Sequence, residues 1–209
     1  MTSMDRRRAL QSTFALTTST AAAVIFPQRP VRAYTPDTDP LRESLYFISR
    51  VQEATVQQER FVNRSQDQEE LRNKMKLTLL LVEKNYKLLN QINYASAFVE
   101  PKDALVEASE AGYEAVDALN GAIEFVKNDL KTGPLTAEQR EFLTTSMQSC
   151  RENLFIFVKY MPKEKLAFAR KRVEEENVAN RDEFDSKNLG SDAGVCNPVV
   201  LPWKEPGRS

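Results

Sequence analysis

Histidine is absent from this chain, and glycine (6 residues), cysteine (2) and tryptophan (1) are scarce among its 209 residues. Histidine is the usual general acid or base near neutral pH and the commonest metal ligand. Its absence removes Ser–His and Cys–His nucleophile pairs, His-ligated zinc and haem, and the Glu-x-x-His di-iron bundle. Carboxylate or lysine chemistry survives that filter, but nothing singles out a catalytic pair among the many acids. The sequence therefore reads as a non-enzyme with no cofactor and no metal site. Few glycines argue against a turn-rich β protein, and the abundance of Lys, Glu, Gln, Ala and Leu suits helices.

Charge is nearly balanced over the whole chain (29 basic, 30 acidic) but unevenly placed. Residues 1–33 carry Arg6, Arg7, Arg8, Arg29 and Arg32 against one acid, Asp5, a net +4; residues 34–209 hold the other 24 basic and 29 acidic residues, a net −5. An acidic body offers little to a phosphate backbone, so no nucleic-acid partner is expected.

The basic excess belongs to a segment with the order of an export signal. Arg6–Arg7–Arg8 is followed by a moderately apolar, Thr/Ser/Ala-rich run from Phe14 to Phe26, then by Pro27, Pro30 and Val31–Arg32–Ala33, with residues suited to cleavage after Ala33. Arginines abutting a polar apolar-region, and a further arginine near the cleavage point, point to the twin-arginine route, with Arg6 and Arg7 as the pair that is read. The run is shorter than the roughly 18–20 apolar residues a membrane span requires, so the mature protein is expected to have none. Thylakoid-lumen and bacterial periplasmic proteins share this grammar.

After a linker at 34–40, helical periodicity governs residues 41–184. Asp39 and Pro40 suit the cap and first position of a helix in which Leu41, Leu45, Ile48, Val51, Thr55 and Val62 form the apolar stripe and Gln57, Gln58, Glu59 and Arg60 the wet side. Ser65 and Gln68 can cap a second helix of about seven turns, its stripe running through Leu71, Met75, Thr78, Leu79, Val82, Tyr86, Leu89 and Asn93. The third, from Pro101 to Gly133–Pro134, buries Leu105, Ala108, Gly112, Ala115, Leu119, Ala122 and Val126; its small residues predict close approach to a neighbour. Thr136 and Gln139 form a capping box for the fourth, through Phe142, Met147, Cys150, Leu154, Phe157 and Val158 to a break at Met161–Pro162. A fifth, Lys163 to Phe184, has a thin stripe (Leu166, Ala169, Val173) and either extends the fourth or lies across one end. The expected fold is all-α: an antiparallel four-helix up-down bundle with an additional C-terminal helix and an irregular tail at 185–209.

Candidate sites are few. Cys150 and Cys196, in an exported protein, are compatible with one disulfide pinning the tail to the fourth helix; with no histidine to activate it, Cys150 is otherwise a small buried hydrophobe. Glu107, Glu110 and Glu114 share a helix face and read as a solvated acidic surface, as do Glu174 to Glu176. Tyr86, Phe142, Phe155, Phe157, Tyr160 and Phe168 read mainly as core, although Phe155 and Phe157 cannot point the same way. Trp203, in a Pro-rich end, either folds back on the bundle or anchors a partner. A second functional reading is a small apolar ligand held among Phe142, Phe157, Tyr86 and Leu89.

Twin arginines, the polar apolar-region, Val31–Arg32–Ala33 and the four-helix body together resemble small thylakoid-lumen proteins, in architecture the PsbQ-like extrinsic subunits of photosystem II and their algal relatives. The resemblance covers targeting and helix layout, with no diagnostic motif. It implies a non-enzymatic subunit or assembly factor at the lumenal face of a membrane complex. Many such subunits are markedly basic whereas residues 34–209 are acidic, so no docking residues are carried over. Bacterial periplasm is the alternative compartment.

Replacing Arg6 and Arg7 together with Lys should block export and leave an uncleaved precursor, because an ammonium does not reproduce the planar guanidinium fork. Normal processing of the double variant on an immunoblot would contradict the twin-arginine route.

Overall fold

The computed structural model describes residues 34–64, 73, 75–76, 78–80, 82–130, 134–186 and 201–204. Arg6, Arg7, Ala33, Ser65, Gln68, Leu71 and Cys196 lie outside the described residues. The chain divides into a short N-terminal unit, Met1–Thr35, and a compact unit, Pro36–Ser209, which contains every described helix. Among the described residues the fold is all-α: α1 Pro40–Arg64, α2 Leu88–Ser96, α3 Leu105–Glu124, α4 Ala137–Val158 and α5 Lys163–Ser186, with no strand. None of these helices is long and apolar enough to cross a membrane.

Local chemistry sets the helix ends. Asp39 Oδ1 accepts the backbone N–H groups of Leu41 (3.0 Å) and Arg42 (3.3 Å) just ahead of Pro40, satisfying two of the orphan donors of a helix start. Thr136 and Gln139 close the expected capping box of α4: Thr136 Oγ1 accepts from Gln139 N (3.2 Å), and Gln139 Oε1 accepts from Thr136 N (3.0 Å). The third helix runs on into a π-turn, Phe125–Asp129, and stops at Leu130, where the backbone turns extended. It therefore ends ahead of Gly133–Pro134. Pro162 separates α4 from α5 as expected.

The predicted second helix is not continuous. Residues 73–80, where described, are helical; a π-turn at Val82–Tyr86 follows, and Lys87 then takes a left-handed backbone (φ 47°) before α2 begins. A non-glycine residue there costs on the order of 1–2 kcal/mol, so packing on both sides must hold the break in place. The wide turn and the break together shift the buried stripe. Met75, Leu79 and Val82 are buried before it, and Leu88, Ile92 and Ala95 after it, whereas the expected Leu89 and Asn93 are exposed.

In the packing, α1 is the hub: it lies against α2, α4 and α5, while α3 packs on α2 and α4. The stripe foreseen for α1 is buried throughout, but so are Gln57 and Gln58, assigned to its wet side; only Glu59 and Arg60 there keep partial exposure. The small residues of α3 do what their size suggests. A Cβ on Gly112 would stand 2.5 Å from Ile92 Cγ2 and 3.2 Å from Phe157 Cδ2, so only glycine allows α2 and α4 side chains this close. The fifth helix neither prolongs α4 nor caps one end. It packs along α1, with Ala169 and Val173 buried.

Ile92→Ala should destabilise the fold by about 2–4 kcal/mol, and Leu89→Ala by less than about 0.5 kcal/mol, in urea unfolding. A continuous helix carrying the expected stripe would reverse that order.

Candidate functional site

Ten polar or charged residues are buried among those described, and eight of them lie on α1: Ser44, Ser49, Arg50, Gln52, Glu53, Thr55, Gln57 and Gln58. The densest group faces α5. Arg50 donates from Nη1 to Glu53 Oε2 (2.8 Å) and Asn177 Oδ1 (2.6 Å), from Nη2 to Glu176, and from Nε to the Tyr46 hydroxyl (3.3 Å). Asn177 in turn donates to Glu53, and the Tyr46 hydroxyl donates to Glu176 Oε2 (2.7 Å). Arg172 completes the seam, donating to Glu176 Oε1 (3.2 Å) and Glu43 Oε2 (2.9 Å) while its guanidinium stacks 4.2 Å from the Tyr46 ring centroid. At the start of α1, Lys165 donates to Asp39 Oδ2 (2.6 Å).

Helical spacing explains why these residues meet. Tyr46, Arg50 and Glu53 are one and two turns apart on α1; Arg172 and Glu176 are one turn apart on α5, with Asn177 beside them. Burial acts to raise the Glu176 carboxyl, but the Tyr46 hydrogen bond and the Arg50 and Arg172 charges outweigh it and hold the group below its ordinary range. Burial pushes the Tyr46 phenol well above its ordinary value, so it stays protonated near neutrality. Each carboxylate of the seam is matched to a guanidinium or amide, an arrangement that clamps α5 to α1.

A second, smaller polar contact ties α1 to α4. Arg151 donates to Glu59 Oε2 (2.9 Å) and Thr55 Oγ1 (3.4 Å), and Gln148 donates to Glu59 Oε1 (2.7 Å). Arg151, Asn177 and the Tyr46–Arg50–Glu53 set carry no sequence motif. The signal that could have found them is the polarity of α1 itself, too low in apolar content for one wet and one dry face.

Residues 201–204 also come to the helices. Leu201, Pro202 and Trp203 are buried; the Trp203 indole N–H donates to Glu174 Oε1 (3.0 Å), the Arg170 guanidinium stands 5.4 Å from its ring, and Lys204 reaches Glu174 Oε2 (2.5 Å). Trp203 is folded back against α5 in the structure. Burial pushes Arg170 down to about 10, partly offset by Glu174. Glu174 and Glu176 are thus partnered, and of the run 174–176 only Glu175 is an exposed acid as expected.

Cys150 is a free, fully buried thiol among the core side chains of α4, and burial pushes it up to about 12. Its suggested bridge partner, Cys196, lies outside the described residues. Glu107, Glu110 and Glu114 are exposed, as expected of a solvated face, and no cluster that could hold a metal ion occurs among the described residues. The four residues suggested to enclose an apolar ligand are not brought together. Phe157 is in the core, Tyr86 packs on Phe47 (5.6 Å), Phe142 is 43% exposed beside Phe125, and Leu89 is 44% exposed. Phe168, expected inside, is exposed beneath Arg42 (4.2 Å); Phe155 is half-buried near Arg170 while Phe157 points inward.

Two predictions follow from the buried polar groups. Arg50→Ala should cost about 3–5 kcal/mol, because it strands the Glu53 carboxylate in the interior. The lowered Glu176 carboxyl adds stability that is fully present above its unfolded value near about 4.3 and is lost as pH falls through the folded one, so the urea midpoint should drop on acidification and drop less in Glu176→Gln. An Arg50→Ala protein of unchanged midpoint would contradict the clamp. Separately, native Cys150 should resist alkylation and react only once the chain unfolds in the absence of reductant; if unfolding without reductant exposes no thiol, Cys150 is bridged in solution.

Comparison of the chain with known families, with curated proteins and with solved structures finds no match in any of the three.

Proposed function

We propose that this chain is a non-enzymatic subunit or assembly factor of a photosynthetic membrane complex, photosystem II first among them, acting as a peripheral protein of the thylakoid lumen after removal of residues 1–33. In this reading the helices form an antiparallel four-helix up-down bundle with an added C-terminal helix and tail. The observation that carries it is the Arg6–Arg7 leader, with its polar apolar-region and Val31–Arg32–Ala33, standing ahead of an all-helical body. The internal chemistry is in keeping with a binding role: the buried charges are spent on joining helices, while large apolar side chains such as Val106 (67% exposed), Tyr113 and Phe142 remain on the surface.

Fractionation of the source cells with N-terminal sequencing tests this reading. The mature chain should begin at Tyr34, resist protease in intact thylakoids, and co-purify with a lumen-facing complex. An uncleaved chain in the stroma, or one that accompanies no membrane complex, would contradict it.

A further inference from the structure

The negative charge of the body is confined to one pair of helices. Residues 105–149, covering α3, the following turn and most of α4, hold eight acids and three bases, a net −5. Residues 34–209 as a whole are also −5, so the remaining residues balance at 21 basic against 21 acidic. All eight acids are exposed. Of the three bases, Lys127 is engaged by Glu83 at 2.7 Å, outside this pair. Among the described residues no ion pair engages these eight acids, whereas the charges of α1 and α5 are largely consumed in pairing with each other.

The same face has a groove between its helices, of about 470 Å³, with Ala118 and Phe142 as its apolar part and Glu138, Glu141, Thr145 and Ser149 along it. Phe142 packs at a tilt on Phe125 (5.0 Å between centroids) with 43% of its surface open. The carboxylates along the groove, Glu138 and Glu141, come from α4, while α3 contributes Ala118. Gly121, one turn past Ala118, has nothing within 4 Å of where a Cβ would stand, which keeps that side low.

We propose that the α3–α4 groove docks a basic amphipathic segment of a protein partner, its apolar side chains resting on Phe142 and Ala118 and its lysines or arginines facing Glu138 and Glu141. The inference deepens the subunit reading above by assigning the face and the charge of the partner. Charge complementarity selects this occupant. A second copy would bring a −5 face against a −5 face, and an apolar small molecule would leave the carboxylate rim unanswered. A groove between two helices suits a third, laid in by its apolar side.

The test uses the full chain and two 18-residue amphipathic helical peptides, one of Lys and Leu, the other of Glu and Leu. Hydrogen-exchange footprinting and titration are run at two salt concentrations. The Lys/Leu peptide should bind, protect residues 114–149, and weaken as salt rises; the Glu/Leu peptide should not bind. Glu138→Lys with Glu141→Lys should weaken binding at least tenfold, and Phe142→Ala should weaken it at unchanged charge. Glu164→Lys with Glu175→Lys on α5 changes net charge equally and should leave binding intact; circular dichroism verifies that each variant is folded. Equal loss in both charge variants, protection elsewhere, or self-association abolished by the groove variants would overturn the proposal. Failure here leaves the lumenal fractionation result standing, and failure of that result leaves this one standing, so the two readings fail separately.

Discussion

A helix surrounded by protein on most of its girth, yet carrying eight buried polar or charged side chains, sets the terms for this fold. Burying Arg50 and Glu53 is costly unless each finds charge and hydrogen-bond partners in fixed positions. The α5 helix supplies them through Glu176 and Asn177, with Arg172 bonding Glu176 in turn, and α4 supplies Arg151 for Thr55 and Glu59. Apolar burial drives the helices together in the usual way. The polar seam decides which face of α5 meets α1, since a rotation of one residue would leave a guanidinium and a carboxylate unmatched in the interior. The cost of being wrong thereby becomes a source of register.

Two consequences follow for the rest of the molecule. Because α5 is committed to α1, its outer residues Arg170 and Glu174 are placed to receive Trp203, and residues 201–204 are seated on the fold through a cation–ring contact and an indole hydrogen bond. Because ion pairing occupies so many charges of α1 and α5, the unmatched acids accumulate on α3 and α4, where the helices meet through alanine, glycine and serine and leave a shallow apolar groove. Gln52 and Gln58 depart from this economy: both are fully buried, and their amide atoms find no partner among the described residues. The structure offers no physical account of them.

Much of this could be read from the residues. Asp39–Pro40, the Thr136–Gln139 box and the Met161–Pro162 break are local signals, and each marks a helix boundary that forms. The stripe of α1, and that of α3 apart from Leu105, which is 40% exposed at the start of the helix, are legible because periodicity alone decides them. What escaped was whatever depends on a neighbour. No local signal marks Lys87 as a left-handed residue, so the shift that buries Leu88 and Ile92 in place of Leu89 and Asn93 could not be seen. Gln57, Gln58 and Glu176 are polar yet withdrawn from solvent, because polarity predicts exposure only for a helix with one partner and α1 has three.

Native-state hydrogen exchange tests the central role of α1 most directly. If the polar seam and the surrounding core make α1 the last element to open, its amides from Leu45 to Thr55 should exchange only through global unfolding, with an opening free energy equal to the stability measured by urea. Exchange of that stretch at a markedly lower free energy than α3 or α4 would show that α1 detaches first, and that the seam does not hold the fold together.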